Sequence, residues 1–306
     1  MKIAVMGAGA VGGYYGGVLA KRGEDVTLIC RGAHRDAILQ DGLRVRSHWG
    51  DYTVKPKATA DPKEVGPVDL ILHCVKLYHN AVAVPALKPM VGPKTTILTM
   101  QNGVTSGDTL AVAYGWERVL QGATYIEAAQ PGPGQIEQSG STARIEFGER
   151  DGKRTLRTET IERVLSKPGI QVVVSTSIVD SLWSKLVSVG AVGTAMTAAR
   201  ASLVELLATA DGEHTIRNVM GEIVAVGQAH GVRYKPGIID EKVAGIKAEA
   251  AEFKSSLQFD LEHSRPLEID DLLGAVVSKG RAKGIPVPAS AALVMTLQKF
   301  KRGSRK

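Results

Sequence analysis

The sequence predicts a chain of two domains, the first α/β and the second all-α, and three observations carry that prediction. An apolar run over residues 2–6 breaks directly into a glycine-rich turn. Strand-like and helix-like patterns then alternate as far as residue 174. Beyond Ser175 strand signals disappear and only helical periodicity follows. At 306 residues, 44% hydrophobic and 23% charged, the chain is long enough for each domain to bury its own core. The expected domains are 1–175 and 176–306.

In chain order, strands are expected at 2–6, 25–30, 69–74, 95–99 and 119–125, and helices near 11–22, 33–41, 79–87 and 105–112. Residues 43–54 read as a hairpin around His48 to Asp51. From about Gln130 the pattern changes. Pro131 to Gly134 is a turn, and alternating runs at 135–138 and 143–148 suggest two antiparallel strands added to the sheet. A helix at 155–166 and a strand at 170–174 close this part. Alternating β and α elements predict a doubly wound, mainly parallel sheet with helices on both faces. The second part reads as helices at 177–199, 202–231, 236–250, 266–283 and 287–301, broken at Gly231, at Lys235 to Gly237 and at Gly284 to Pro288.

The turn after the first strand is Gly7-Ala8-Gly9-Ala10-Val11-Gly12, a G-x-G-x-x-G with strand before it and helix after it. In that setting the first glycine permits the tight turn and the second lets backbone approach a pyrophosphate. The third lets helix pack on strand, while the helix N-terminus presents N–H groups to phosphate. The α/β half is therefore expected to be a Rossmann-type, dinucleotide-binding domain. Ile3 to Ala20 carries no charge, which raises a signal peptide or membrane span as an alternative. Six glycines between Gly7 and Gly17 suit neither. Charges resume at Lys21 and Arg22 before Gly23, as at a helix end, so a soluble, unprocessed N-terminus is expected.

Cys30 and Cys74 both lie in apolar strand-like runs, which favours buried free thiols in a reducing cytoplasm over a disulfide. The seven histidines show no metal-ligand spacing. A net charge of +7 without basic stretches interleaved with aromatics argues against nucleic acid, and no segment argues for a membrane. Part of the excess lies in the tail Lys299 to Lys306, read as a solvated end; the remainder suits an anionic cofactor and substrate.

Dinucleotide sites selective for NAD carry an acid just past the second strand, about twenty residues after the glycines, to accept from the ribose 2′-hydroxyl. Here that place holds Arg31. A guanidinium there favours a 2′-phosphate, so NADP(H) is the expected cofactor. Two further strands end in polar residues where such sheets bind ligands: 70–76 in Lys76, and 97–103 in Gln101-Asn102-Gly103. In the helical half, Lys185 follows Trp183 and precedes fourteen uncharged residues, Leu186 to Ala199. A helix of that composition is buried. Partial desolvation makes a lysine at its end usable as an acid–base group.

Taken together these pieces resemble the ketopantoate reductase (2-dehydropantoate 2-reductase) family over essentially the full chain. The resemblance rests on Gly7 to Gly12, Val75-Lys76, Gln101-Asn102-Gly103, Trp183-Ser184-Lys185-Leu186, Ser255 to Asp260, and Glu268-Ile269-Asp270 followed by Gly274. It implies NADPH-dependent reduction of a 2-keto acid to a 2-hydroxy acid, in pantothenate synthesis. Carried over residue by residue, Lys185 is the general acid. Lys76 and Asn102 hold the nicotinamide end of the cofactor, Asn102 also touching substrate. Ala128 supplies a backbone cofactor contact, Ser256 binds substrate, and Glu268 meets the nicotinamide ribose and orients Lys185. Glu268 also suits the first turn of a helix, where an acid complements the dipole.

One departure bears on the substrate. The family places asparagines four and eight residues after the lysine, where this chain has Val189 and Gly193; a third falls at Leu203. Val189 and Gly193 are thus substrate-side positions with a more apolar character, for which Ser188 and Thr197 are candidate replacements. Three alternatives to ketopantoate reduction stay open from the sequence: a reductase of a more apolar 2-keto acid, a dehydrogenase of the hydroxyacid or opine type, and a non-catalytic NADPH-binding sensor. The expected partner is a small 2-keto acid, and a homodimer is left open.

Overall fold

The computed structural model describes residues 1–251, 253 and 255–303. The last three residues of the basic tail, expected to be solvated, lie outside the described residues. The chain divides into two compact units, Met1–Asn102 with Ser106–Ile178, and Gly103–Thr105 with Val179–Lys306.

The first unit runs β1 (Lys2–Met6), α1 (Ala10–Lys21), β2 (Asp25–Ile29), α2 (Gly32–Asp41), β3 (Leu43–Arg46), β4 (Tyr52–Val54), β5 (Lys57–Thr59) and β6 (Val68–His73). It continues with α3 (Asn80–Ala86), β7 (Val91–Thr99), α4 (Ser106–Tyr114), β8 (Val119–Gly132), β9 (Gln135–Gly148), α5 (Leu156–Leu165) and β10 (Gln171–Val174). All ten strands form one sheet, in the order β4-β3-β9-β8-β7-β6-β1-β2-β5, with β10 beside β9. From β5 to β8 every pairing is parallel, with Ile3 beside both Val26 and Leu70; β8–β9 and β3–β4 are antiparallel.

Alternation along the parallel strands builds two cores, as a period of two requires. Ile3, Val5, Leu70, Leu72 and Leu98 meet Tyr15 and Leu19 of α1, Ile38 of α2, and Ile161 and Leu165 of α5. Ala4, Met6, Ile71 and Ile97, on the opposite face, meet Ala83 and Val84 of α3 and Leu110 of α4. The uncharged body of α1 has a packing cause. A Cβ on Gly13 would stand 2.6 Å from Ile136 Cδ1, and one on Gly16 would stand 2.7 Å from Leu28 Cδ2, so sheet side chains crowd the helix. No described helix is long and apolar enough to cross a membrane.

Residues 135–148 form one strand where two were expected. The ladder with β8 jumps from Ile126–Ala143 to Glu127–Ser139, so the exposed residues Gly140 to Thr142 bulge out of a continuous strand. The short β5 carries no sequence signal of its own and is held by parallel pairing with β2.

The second unit is helical: α6 (Ile178–Ala199), α7 (Leu203–Leu207), α8 (Gly212–Ala229), α9 (Ile238–Ala248), α10 (Ser256–Glu262), α11 (Leu273–Ala282) and α12 (Pro288–Leu297). α8 buries Ile216, Val219, Met220, Ile223 and Val226, a helical stripe, and packs on α7, α9, α11 and α12. Two expected helices are corrected. The run 202–231 is split before Gly212, where a Cβ would stand 1.8 Å from the Leu206 carbonyl oxygen. Residues 266–272 are not helical: Glu268 O accepts from Asp271 N and Leu272 N in a tight turn, and α11 starts only at Leu273.

Candidate functional site

The glycine turn follows β1 and caps α1. Gly7 has φ +96°, and a Cβ there would stand 2.7 Å from Val75 Cγ1; its N–H and that of Ala8 both donate to Ile29 O. Gly12 is required by packing, since its Cβ would stand 2.1 Å from Gly7 O and 3.0 Å from Cys74 Cβ. Gly9 is different. Its φ of −69° and ψ of −158° suit any residue, it is exposed, and the nearest atom to a Cβ would be Gln130 Oε1 at 3.9 Å. Nothing within the protein calls for glycine there, and the space beside it is open. No side chain caps α1 and no acid lies in its first turn, which leaves the N-terminal N–H groups of Ala10, Val11 and Gly12 for an anion. These residues fit a dinucleotide pyrophosphate.

Arg31 stands two residues past β2 as the N-cap of α2 and is exposed. Its neighbour Arg35 is committed to Asp36 at 2.6 Å, whereas Arg31 has no ion-pair partner among the described residues. Its charge is therefore available to a phosphate at the carboxyl end of β2.

Lys76 and Asn102, both half-buried, follow the adjacent strands β6 and β7. Under them lies a buried polar network that the sequence reading missed apart from Gln101. Gln101 Nε2 donates to Val75 O at 2.7 Å and to Asn80 Oδ1 at 2.8 Å. His73 Nε2 donates to the same Asn80 oxygen at 2.9 Å, Thr99 and Ser106 share a hydroxyl contact of 2.6 Å, and Ser106 donates to Gln101 Oε1. The network ties the residue before Lys76 to the residue before Asn102. Burial pushes the His73 pKa down to about 4, keeping the ring neutral. Cys30 and Cys74 are free and half-buried, and burial raises their thiols to about 11 and about 12, so neither is a poised nucleophile. Ala128 lies half-buried on β8, opposite Gln138.

In the second unit Lys185 is half-buried on α6, flanked by buried Leu182, Trp183, Leu186 and Val187. Val189, one turn on, is half-buried, and Gly193, two turns on, is buried. Neither hydroxyl proposed to replace the missing amides is turned outward. Ser188 Oγ donates to Lys185 O at 3.2 Å and Thr197 Oγ1 to Gly193 O at 2.5 Å, both along their own helix. Ser255 instead reaches Gly193: its Oγ caps α10 through Gln258 N and lies 3.4 Å from Gly193 O. Ser256 is exposed at the first position of α10. Glu268, 4% exposed, sits in the 266–272 turn and not in a helix, which removes the dipole explanation for its acid. Leu203 is fully buried at the start of α7 and belongs to the core.

A ten-stranded, largely parallel sheet with an open glycine turn, followed by a helical unit carrying a half-buried lysine, defines a dinucleotide-dependent oxidoreductase. Residues 3–152 match the family described as Ketopantoate reductase PanE/ApbA, and residues 177–301 match Ketopantoate reductase PanE/ApbA C terminal. The chain is 30% identical to the Uncharacterized oxidoreductase YkpB of Bacillus subtilis over 98% of this chain and 99% of that one. It is 29% identical to a 2-dehydropantoate 2-reductase of Mesorhizobium japonicum, with 98% of both covered. Among solved structures, the PanE/ApbA family ketopantoate reductase from Ralstonia eutropha superposes with TM-score 0.91 at 32% identity, covering 98% of each chain. A D-mandelate dehydrogenase shares the fold, with TM-score 0.90 at 23% identity and 98% of each chain covered. The chain belongs to the ketopantoate reductase family. It is accordingly an NADP-dependent oxidoreductase acting on CH–OH groups.

Proposed function

We propose that the chain reduces a 2-keto acid to the corresponding 2-hydroxy acid with NADPH, with 2-dehydropantoate, the precursor of pantoate in pantothenate biosynthesis, as leading substrate. The observation that carries this reading is Lys185, the single charge between Asp180 and Arg200, half-buried on α6. A developing alkoxide needs a proton and fixed positive charge, and a lysine in an apolar setting offers both. The first unit is the NADP-binding domain and the second the substrate and catalytic domain.

When bound, NADPH supplies the hydride. Lys185 Nζ donates its proton to the ketone oxygen as the carbonyl carbon is reduced. The backbone N–H groups from Gly9 to Gly12 hold the pyrophosphate and Arg31 the 2′-phosphate. Lys76, Asn102, the Ala128 backbone and Glu268 hold the nicotinamide end, with Glu268 orienting Lys185. Asn102 and Ser256 bind the substrate.

A second reading, a more apolar 2-keto acid, is favoured by the apolar wall at Val189; at Gly193 the space is taken by Ser255 Oγ. With Ser188 and Thr197 bonded to their own helix, this wall offers a substrate hydroxyl no amide, and an unpaired buried hydroxyl costs about 1–3 kcal/mol. The test is the ratio of kcat/KM for ketopantoate and for a 2-keto acid of the same branching without its hydroxyl. A ratio within roughly a hundredfold supports the apolar reading, and a larger preference for ketopantoate supports pantoate formation alone. No NADPH oxidation with any 2-keto acid would leave the sensor alternative.

A further inference from the structure

His34 is buried on α2, three residues after Arg31, and both of its ring nitrogens are engaged. Gly134 N donates to His34 Nδ1 at 2.9 Å, so Nδ1 is the acceptor and the proton resides on Nε2. Nε2 stands 2.9 Å from Ala8 O, to which it donates. One neutral imidazole thus joins three pieces of chain: the glycine turn, the helix capped by Arg31, and the β8–β9 turn.

The bond to Ala8 has a directional consequence. In a planar trans peptide the C=O and the next N–H point in opposite directions. With Ala8 O turned inward to His34, the N–H of Gly9 is turned outward, to the side where Gly9 is exposed and a Cβ would meet nothing closer than 3.9 Å. Gly134 has φ +68°, and its Cβ would stand 3.0 Å from Ala37 Cβ, so the β8–β9 turn is seated on α2 and cannot drift from His34 without repacking.

We propose that His34 is a positioning residue of the dinucleotide site, orienting the Ala8–Gly9 peptide so that Gly9 N–H meets the cofactor pyrophosphate and tying the Arg31-capped helix to that turn. The inference rests on the cofactor reading given above. Of its two bonds, the one to Ala8 carries the effect on binding and the one to Gly134 carries stability.

The two bonds can be separated by substitution in the full-length chain. The terminal amide of glutamine can still donate to Ala8 O, whereas the shorter asparagine reaches only the Gly134 side. NADPH Kd, from fluorescence titration or calorimetry, and Tm are measured for wild type, His34→Leu, His34→Gln and His34→Asn. His34→Leu and His34→Asn should raise the Kd about tenfold, with the kinetic change falling on the KM for NADPH more than on kcat. His34→Gln should return the Kd to within about threefold of wild type. Wild-type Kd in His34→Leu with only Tm lowered, or equal Kd in His34→Gln and His34→Asn, overturns the inference. If His34→Leu does not fold, the comparison of the two amides still decides. Failure of wild type to bind NADPH is a separate result that would sink the cofactor reading itself.

Discussion

Gly193 of α6 and Ser255 at the cap of α10 occupy one space: a Cβ on Gly193 would stand 3.1 Å from Ser255 Oγ. The position that the resemblance assigns to a family asparagine is therefore closed by a neighbouring hydroxyl that caps a helix. Gly193→Asn should destabilise the chain by about 1–3 kcal/mol through overpacking. Combining it with Ser255→Gly should recover at least about 0.5 kcal/mol relative to the sum of the single changes. Denaturant unfolding of the four proteins checks this, and strict additivity would show that the two residues do not share the space.

Gly9 and Gly12 should fail in opposite ways. Gly12→Ala puts a methyl 2.1 Å from Gly7 O and should lower Tm sharply. Gly9→Ala meets nothing closer than Gln130 Oε1 at 3.9 Å and should cost no more than about 1 kcal/mol, the price of alanine at a helix cap. Its NADPH affinity should nevertheless fall by tenfold or more. Paired Tm and Kd measurements separate the fold's glycine from the ligand's.

Arg31→Ala should raise the KM for NADPH by roughly ten- to a hundredfold, the worth of a charge-assisted phosphate contact, and leave that for NADH nearly unchanged. Equal losses with both cofactors would show that Arg31 does not read the 2′-phosphate.

Most of the first unit was legible because its signals are local. A period of two in buried strands and a glycine turn between strand and helix need no distant partner to be recognised. What could not be read depends on tertiary contact. β5 is set by pairing with its neighbour β2, and at 266–272 only one turn closes on Glu268 O, through Asp271 N and Leu272 N, before α11 begins at Leu273. At the site, Arg31, Lys76, Asn102 and Lys185 stand out as polar residues ending apolar runs. His34, Asn80 and Ser255 do not, since their roles lie in bonds to residues 26, 21 and 62 positions away. Histidine spacing reports on metal ligation, whereas the two bonds of His34 run to backbone 26 and 100 positions away.

Acid should destabilise the chain through His73. Its folded pKa of about 4 lies below the ordinary value of 6.5, so as pH falls the unfolded chain takes up the proton first. The stabilisation is complete above about pH 6.5 and is lost between there and about pH 4, up to about 3 kcal/mol in all. His34, whose pKa burial also lowers, acts in the same direction. His73→Phe should flatten the slope of unfolding free energy against pH in that window by about one proton. An unchanged slope would show that His73 is not the group responsible.

Lys185 is proposed to deliver the proton in the reduction of a 2-keto acid. The most direct measurement is kcat of Lys185→Ala at saturating NADPH and keto acid, alongside its NADPH Kd. Turnover should fall by about 10²–10⁴-fold, the range for a positioned general acid, while the Kd changes by less than about threefold. A variant that keeps most of its turnover would show that the proton comes from another group.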